Sequence, residues 1–554
     1  MKTKRSLRDW LWNYPNLFWE LRPITFIIVY ILLMIVLCQY IISSPILQKL
    51  HFEDRTVFTE GTVGEFVNLN PIFVSQNQVD KDIKELVFEK FIEVDANGEP
   101  IPAIATEWSM DEEKKVFTFT VGQGHFFSDG TELDAYDVAW TYNTAIYLAK
   151  EKGRETIGQA LTDVTVEAQD STHVVFTLPE TNATFYEAIA TYIVSEDQFS
   201  RLNVESIENS EISRKPLGTG PYSITTFDDS FVELTASEYY PSKPKISTMI
   251  YRVYPTFELL KVAYENNQLN AINGIGSYRS ELQSIGGNIN INGKVLDSRT
   301  KLIYINNRNE LLKSADIRKG FSYITDVEDL LQSTGIEGNI RKGPIKESSP
   351  YFNADIQYYK YDKEAADKAF ADAGYTYNKV SGYYENSENK ILSVKLSYLD
   401  NPTNDIIAKR LEKQWESEGV YLQLEPQDYE KMIKETIATR NYELLLYEVE
   451  TTLDPDQYNL WHSIKSDYPN LNLAGYNYSR NDIILERART TMDKDARIAD
   501  YKLFQKYFMA DAPVIFLYEP KYEYLIDSRV EGPDLTNIVY PYQRFNNIAD
   551  WYYR

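Results

Sequence analysis

The side chains with the widest chemical repertoire are few in this chain and far apart. His51, His125, His173 and His462 are its only histidines in 554 residues, and none stands at metal-ligand spacing from another histidine or from the single cysteine. A lone histidine of this kind is more often a hydrogen-bonded structural group than a ligand or a base. There is no His-Glu-x-x-His, no Gly-x-Ser-x-Gly elbow, no Gly-x-x-x-x-Gly-Lys-Ser/Thr loop and no dinucleotide fingerprint. Carboxylates are plentiful, but Asp111-Glu112-Glu113 followed by Lys114-Lys115 has the pattern of a solvated turn rather than of a general acid–base pair. Asp454 and Asp456 flank Pro455, which suits either a hard cation or a proline-broken turn. The expectation is a protein that is not an enzyme and that carries no metal and no cofactor.

The elements that must position any site alternate between strand and helix. Residues 116–121 (VFTFTV) alternate with period two ahead of Gly122, a strand pattern. Residues 134–150 open on Asp134 as N-cap and repeat Val138, Tyr142, Ala145, Ile146 and Ala149 at helical spacing. Residues 173–178 form a β-branched and aromatic strand closed by Pro179, and 362–373 an alanine-rich helix stopped by Gly374. The most legible unit is 391–446. Strand 392–398, helix 404–418, strand 420–424, helix 429–439 and strand 442–447 follow one another, an order that implies a parallel sheet covered by helices. Ligands at such sheets sit beyond the carboxyl ends of the strands, which points to residues 448–456.

Composition narrows the partners. With 43% hydrophobic and 25% charged residues, 24 Gly and 22 Pro, the chain is globular rather than collagen-like, disordered or polytopic. Its length suits about three lobes. Acidic residues outnumber basic ones 82 to 57, and the net charge of −25 disfavours nucleic acid as a partner. The 43 tyrosines are mostly strand and packing residues, with a share available for a polar organic ligand.

Residues 24–42 read ITFIIVYILLMIVLCQYII without a charge, and at about 1.5 Å per residue they span roughly 28 Å of hydrocarbon. Lys2, Lys4, Arg5, Arg8 and Arg22 against Asp9 and Glu20 give the preceding tail +3, which leaves −28 for the remainder. That asymmetry places the N-terminus in the cytoplasm and the body outside. Trp10, Trp12, Tyr14, Phe18 and Trp19 crowd the inner flank, as interfacial aromatics do. A cleaved signal has a shorter core and a small-residue exit, for which Ser43-Ser44-Pro45 is a poor match. Cys38 suggests lipidation, but the preceding Leu37 is bulky where a lipoprotein signal needs a small residue. The reading is a cytoplasmic tail at 1–23, a transmembrane signal-anchor at 24–44, and an extracytoplasmic body without disulfides.

Several segments, in order, resemble the extracytoplasmic solute-binding proteins of peptide-type ABC transporters, the oligopeptide- and dipeptide-binding family (family 5). Glu60-Gly61, Leu69-Asn70-Pro71 and Lys84-Glu85-Leu86-Val87-Phe88-Glu89 are similar to that family's start. Ile101-Pro102-Ala103-Ile104-Ala105-Thr106-Glu107-Trp108 is similar to its Pro-x-Leu-Ala-x-x-Trp segment. Thr118-Phe119-Thr120, Phe127-Ser128-Asp129-Gly130-Thr131 and Ala135-Tyr136-Asp137-Val138 carry the most specific signature. Pro216-Leu217-Gly218-Thr219-Gly220-Pro221-Tyr222, Asp454-Pro455-Asp456, Asn472-Leu473-Ala474-Gly475-Tyr476 and Ala512-Pro513-Val514-Ile515 complete the series, which covers roughly residues 58–520.

The resemblance implies an α/β fold, a two-lobed periplasmic-binding-protein clamshell with an extra subdomain, preceded here by one N-terminal transmembrane helix. Lobe I would comprise 55–92, 175–295 and 510–554, the extra subdomain 93–174, and lobe II 296–509. The implied function is capture of a peptide or similar polar ligand outside the cell and its delivery to ABC permease and ATPase subunits. A surface receptor or sensory subunit without transport, and a hydrolase, are the alternatives. By position relative to the matching motifs, Ser75, Asn77, Asn273, Asn404, Tyr429, the run Glu448 to Thr451 with Glu450, and Tyr518 fall where relatives line the cleft, and Trp461 is added as an aromatic just past a strand end. Members of the family usually place an aspartate three residues before the Asp-Pro pair to hold the peptide's amino group, and this chain has Thr451 there. A buried ammonium needs a carboxylate partner, which leaves Glu448 or Glu450 to supply it, or else a blocked peptide, an oligosaccharide or another polar molecule as ligand.

Overall fold

The computed structural model describes residues 56–554 apart from 76, 96, 97 and 286–288, together with Tyr30. The apolar run at 24–42, His51 and the charged tail otherwise lie outside the described residues. Among those described, no helix is long and apolar enough to cross a membrane.

Strand β1 (Val57–Val63) and helix α1 (Gln78–Val87) open the body. A small antiparallel sheet follows, built from β2 (Ala105–Met110), β3 (Val116–Val121), β4 (Thr165–Ala168) and β5 (His173–Thr177) in the order β2-β3-β5-β4. Helix α2 (Ala135–Lys152) covers one face. Asp134 caps it through the amides of Tyr136 and Asp137, and Gly153 ends it in the left-handed region, two residues beyond the sequence expectation. Phe91, Phe117, Phe119, Tyr142, Phe176 and Phe185 fill the core of this unit. The turn at Asp111 is solvated as its composition implied, with the carboxylate accepting from the amides of Lys115 (2.7 Å) and Val116 (2.9 Å).

The chain then returns to the large sheet with β6 (Tyr222–Asp228), β7 (Phe231–Ala236), β8 (Thr248–Tyr254), β9 (Ala271–Asn273) and β10 (Ile289–Val295). The second half contributes β11 (Arg299–Ile305), β12 (Gly338–Ile340), β13 (Ser393–Leu399), β14 (Tyr421–Gln427) and β15 (Leu444–Glu450). The 14-residue strand β16 (Val514–Asp527) joins them. Its first part pairs with β11, its middle with β12, and its last part with β9 and β10. The path through the twelve-stranded sheet is β14-β13-β15-β11-β16-β9-β1-β8-β7-β6. Two halves therefore share one continuous strand.

Within the second half, β13, β14 and β15 are parallel, as the β-α-β-α-β pattern required. Both faces of this sheet are buried, which explains why its strands read as apolar runs. Ile303 and Ile305 face one core while Leu302 and Tyr304 face the other. On the first face Trp415 stacks on Phe321 at 4.7 Å and donates to Thr325 Oγ1 at 3.1 Å. The second helix of the pattern widens after Tyr429, where the amides of Ala438 and Asn441 reach back five residues.

Two of the motifs meet in space. The Gly130 turn, at φ +88, is closed by Asp129, which accepts from the amide and hydroxyl of Thr131, and the Ser128 amide donates to the carbonyl of Gly218 at 3.0 Å. Gly218 in turn lies against the end of α1, so that a Cβ there would sit 1.9 Å from the Val87 carbonyl oxygen. Gly218→Ala is expected to destabilise by about 1–3 kcal/mol through this overlap. Thermal melting checks it, and an unchanged midpoint would show that α1 shifts freely.

Candidate functional site

The two halves face each other on either side of β16, and helix α1 presents its first turns to the second half. Asn77 caps α1, accepting from the Val79 amide at 2.9 Å. The loop before it is tied to the helix by Asp80, which accepts from the amides of Val67 (3.0 Å) and Asn68 (2.9 Å) and from the Ser75 hydroxyl (2.9 Å). Lys84 donates to the Phe73 carbonyl at 3.0 Å, and burial pushes its pKa down to about 8. These bonds fix the position of the next helical face, where Gln78 and Lys81 point across the cleft.

An ionic cluster bridges the halves at that point. Lys81 Nζ lies 2.7 Å from Glu450, and Arg299 reaches Glu450 at 3.0 Å and Gln78 at 2.9 Å. Arg299 and Lys301 flank Glu448 at 3.8 and 3.7 Å, and Lys301 donates to Asn404 Oδ1 at 2.9 Å. The Glu450 carboxyl is held below its usual pKa: burial opposes this, but Lys81 and Arg299 outweigh it. Reversing one charge by Lys81→Glu is expected to open the halves, read as a larger radius of gyration in X-ray scattering, and Lys81→Glu with Glu450→Lys to restore it. Equal radii for all three proteins would remove the bridge from the account of closure.

The small sheet also leans on the second half. The Ala183 amide donates to the Arg489 carbonyl (2.7 Å), Thr181 to the Thr490 carbonyl (2.7 Å), and Lys494 pairs with Glu99 (2.9 Å). Glu187 meets the amides of Leu453 and Asp454, and its pKa is raised to about 7 by burial and by the charge of Asp454.

Strand β15 carries the feature with the clearest binding chemistry. One of its edges is paired with β11 from Leu444 to Glu450, whereas the other is paired with β13 only as far as Leu446. Among the described residues no strand continues that second edge over 447–450, which leaves an edge of the kind an added strand pairs with. Two cavities lie between the units. One, of about 1180 Å³, is bounded by Val74, Thr156, Leu161 and Asn182 on one side and by Tyr458 and Arg489 on the other. The second, of about 1090 Å³, lies between Glu85, Phe88 and Tyr192 and residues Ile340, Glu347 and Leu453. Both are large enough for a ligand of several residues.

The ten residues nominated from sequence divide into groups, and none of them lines either cavity. Glu448, Glu450 and Asn404 belong to the ionic cluster. Ser75 and Asn77 sit at the start of α1, occupied in tying and capping it. Thr451 turns its hydroxyl and amide to the Ser298 carbonyl (3.1 and 2.8 Å), and its own carbonyl accepts from Tyr540. Asn273 is buried, donating to Asp82 (2.9 Å) and accepting from Tyr522 (2.8 Å). Tyr429 is 70% exposed, whereas Tyr518 is 2% exposed and packs in the core beside β11. Trp461 is 1% exposed, lies against Tyr304 and Phe508, and donates to Gln457, so the structure does not bring it to the cleft. Asp454 and Asp456 pair with Arg497 and Arg489. Each described histidine faces a carboxylate: His125 faces Glu89, His173 Asp170 and His462 Glu486. No group of three or more His, Cys, Asp and Glu among the described residues is arranged to hold a metal. Gln78, Lys81, Arg299 and Lys301 were not among the nominated residues. Their one sequence signal is parity, since charged residues at 299 and 301 interrupt an apolar strand as Glu448 and Glu450 do another.

The fold has counterparts among known proteins. The family described as "Bacterial extracellular solute-binding proteins, family 5 Middle" matches residues 99–470. The oligopeptide-binding protein AppA of Bacillus subtilis (strain 168) is 21% identical over 504 residues, covering 89% of this chain and 90% of its own. Among solved structures, NikZ from Campylobacter jejuni in complex with Ni(L-His) matches with a TM-score of 0.78 at 21% identity, over 90% of this chain and 99% of that one. AppA from Bacillus subtilis in complex with a nonapeptide matches with a TM-score of 0.75 at 20% identity, over the same shares of the two chains. The fold is the mixed α/β, two-lobed fold of periplasmic binding proteins.

Proposed function

Because the chain belongs to family 5 of the bacterial extracellular solute-binding proteins, we propose that it captures a peptide or similar polar ligand between its halves outside the cell and delivers it to the permease and ATPase of an ABC importer. The observation that carries this reading is the open edge of β15 at 447–450, in a chain that also holds two inter-unit cavities, which suits an extended chain bound through its backbone. A relative named as an oligopeptide-binding protein, with a related fold solved around a nonapeptide, supports the ligand class. Residues 55–92, 175–295 and 510–554 act as one lobe, 296–509 as the other and 93–174 as the extra subdomain. Ser75, Asn77, Asn404, Glu448, Glu450 and Thr451 lie on the segments that meet there. Residues 24–44 hold the protein at the membrane as a single-pass anchor, with residues 1–23 in the cytoplasm. The protein binds without turnover.

The test is to identify by mass spectrometry what co-purifies with the full chain and to titrate it back while following thermal unfolding. A specific ligand at 100 times its Kd should stabilise by about 2.7 kcal/mol. Cleavage of the ligand by the purified protein, or no saturable stabilisation by any co-purified molecule, overturns the reading. Carbonate washing of membranes tests the anchor, since a peripheral protein is released and an anchored one stays in the pellet.

A further inference from the structure

The end of β15 is where a ligand ammonium would need a carboxylate, and both candidates there are already matched. Glu450 is held by Lys81 at 2.7 Å and by Arg299 at 3.0 Å. Glu448 lies between Arg299 and Lys301. Thr451, at the position where an acidic residue would receive the amine, is neutral and turned to Ser298. Three cations thus stand against two carboxylates around the open strand edge. Lys301 is the least balanced of them. It is 7% exposed, its shortest contact is the neutral amide oxygen of Asn404 at 2.9 Å, and Glu448 is 3.7 Å away. Burial and the neighbouring Arg299 lower its pKa, and only Glu448 opposes them, as expected of an ammonium short of negative charge. Of the neighbouring buried charges, Glu60 and Asp82 pair with Arg544 and accept from Tyr524 and Tyr251.

Resting on the peptide-capture reading of this site, we propose that the ligand presents a carboxylate or other anion to Lys301 and Arg299 at the end of β15, and that it is not held by a free amino group. A carboxylate entering here completes the charge balance and gains charge-assisted hydrogen bonds. An ammonium would meet three like charges and no unmatched partner.

The experiment uses the full chain in detergent and four pools of random tri- to pentapeptides: unmodified, N-acetylated, C-terminally amidated, and modified at both ends. Binding is followed by thermal shift and calorimetry. The acetylated pool is expected to bind as well as the unmodified one, and amidation to weaken binding about tenfold or more. Lys301→Met should abolish the penalty of amidation, and Arg299→Gln, at a more exposed position, provides the same readout if the first variant folds poorly. Loss of binding on acetylation with tolerance of amidation overturns the proposal. If no pool binds, the peptide reading fails by itself, and citrate as probe decides the anion site. Citrate should raise the melting midpoint of the parent more than that of either variant, and equal shifts overturn it.

Discussion

Replacing Arg544 with leucine is expected to collapse the first half of the molecule. The guanidinium is fully buried and donates to Asp82 at 2.9 and 2.5 Å, to Glu60 at 2.5 Å and to the Pro541 carbonyl at 2.9 Å. Tyr251 and Asn273 donate to Asp82, and Tyr524 to Glu60, so every partner is itself buried. Burial raises the Glu60 carboxyl, and the Arg544 charge is the main influence opposing that rise. Without the arginine two carboxylates are left in a core with hydroxyl and amide partners alone. Breaking a buried pair from one side costs about 3–5 kcal/mol, a large share of the roughly 5–15 kcal/mol that holds a domain. Urea unfolding should show the earliest transition at much lower denaturant. Adding Glu60→Gln and Asp82→Asn to Arg544→Leu should recover part of the loss, because the stranded charges are then gone. An unshifted transition in the single variant would mean that these carboxylates are neutral in the fold.

The second large effect is expected at Arg497, which holds both oxygens of Asp454 at 2.7 Å and also donates to the Ala488 carbonyl at 3.0 Å. Asp456, two residues on, pairs with Arg489 at 3.1 Å. The Asp-Pro-Asp motif is therefore an anchor for arginines from the helices Ser479–Thr490 and Lys494–Asp511, and it fixes the loop that leaves β15. Its carboxylates stabilise the turn as well, accepting from the amides of Asp456 (2.9 Å) and Tyr458 (3.0 Å). Arg497→Leu strands Asp454 and should cost about 3–5 kcal/mol by the same reasoning. It should also loosen the site, lowering ligand affinity beyond what Arg489→Leu does at its more exposed position. Equal effects of the two variants on stability and on titrated affinity would count against this assignment.

Much of the scaffold was legible because it rests on local physics. The parallel strands of the second half are buried on two faces, so they read as apolar runs, as at Leu444, and the alanine-rich helix carries its own stop at Gly374. The cleft was less legible because its residues become neighbours only through tertiary structure. Lys81 and Glu450 lie 369 positions apart, and neither segment announces the other. Position relative to motifs led to β15 and the start of α1, the two segments that the Lys81–Glu450 pair joins. Position alone does not give the direction of a side chain, which depends on packing. Trp461 follows a strand-end loop but closes the helical turn Tyr458–Trp461, with its ring against Phe508. Tyr518 sits on a crossing strand buried from both sides. Gly218 is a clearer lesson: its motif reads as a strand entry, while its reason is a backbone 87 residues from the start of the chain pressed against it.

Strand β16 also sets a schedule for biosynthesis. Translation proceeds at about 5–20 residues per second, and β11 and β9, made long before, wait for the single segment that pairs with both. Neither half can complete its hydrogen-bond ladder until Val514–Asp527 has left the ribosome. A nascent chain stalled before that point holds two sheets each lacking a member, with open edges available to chaperones or to aggregation. Successful closure of both halves is thereby tied to synthesis of this one segment, and a product terminated before it would be marked for disposal by the edges it exposes.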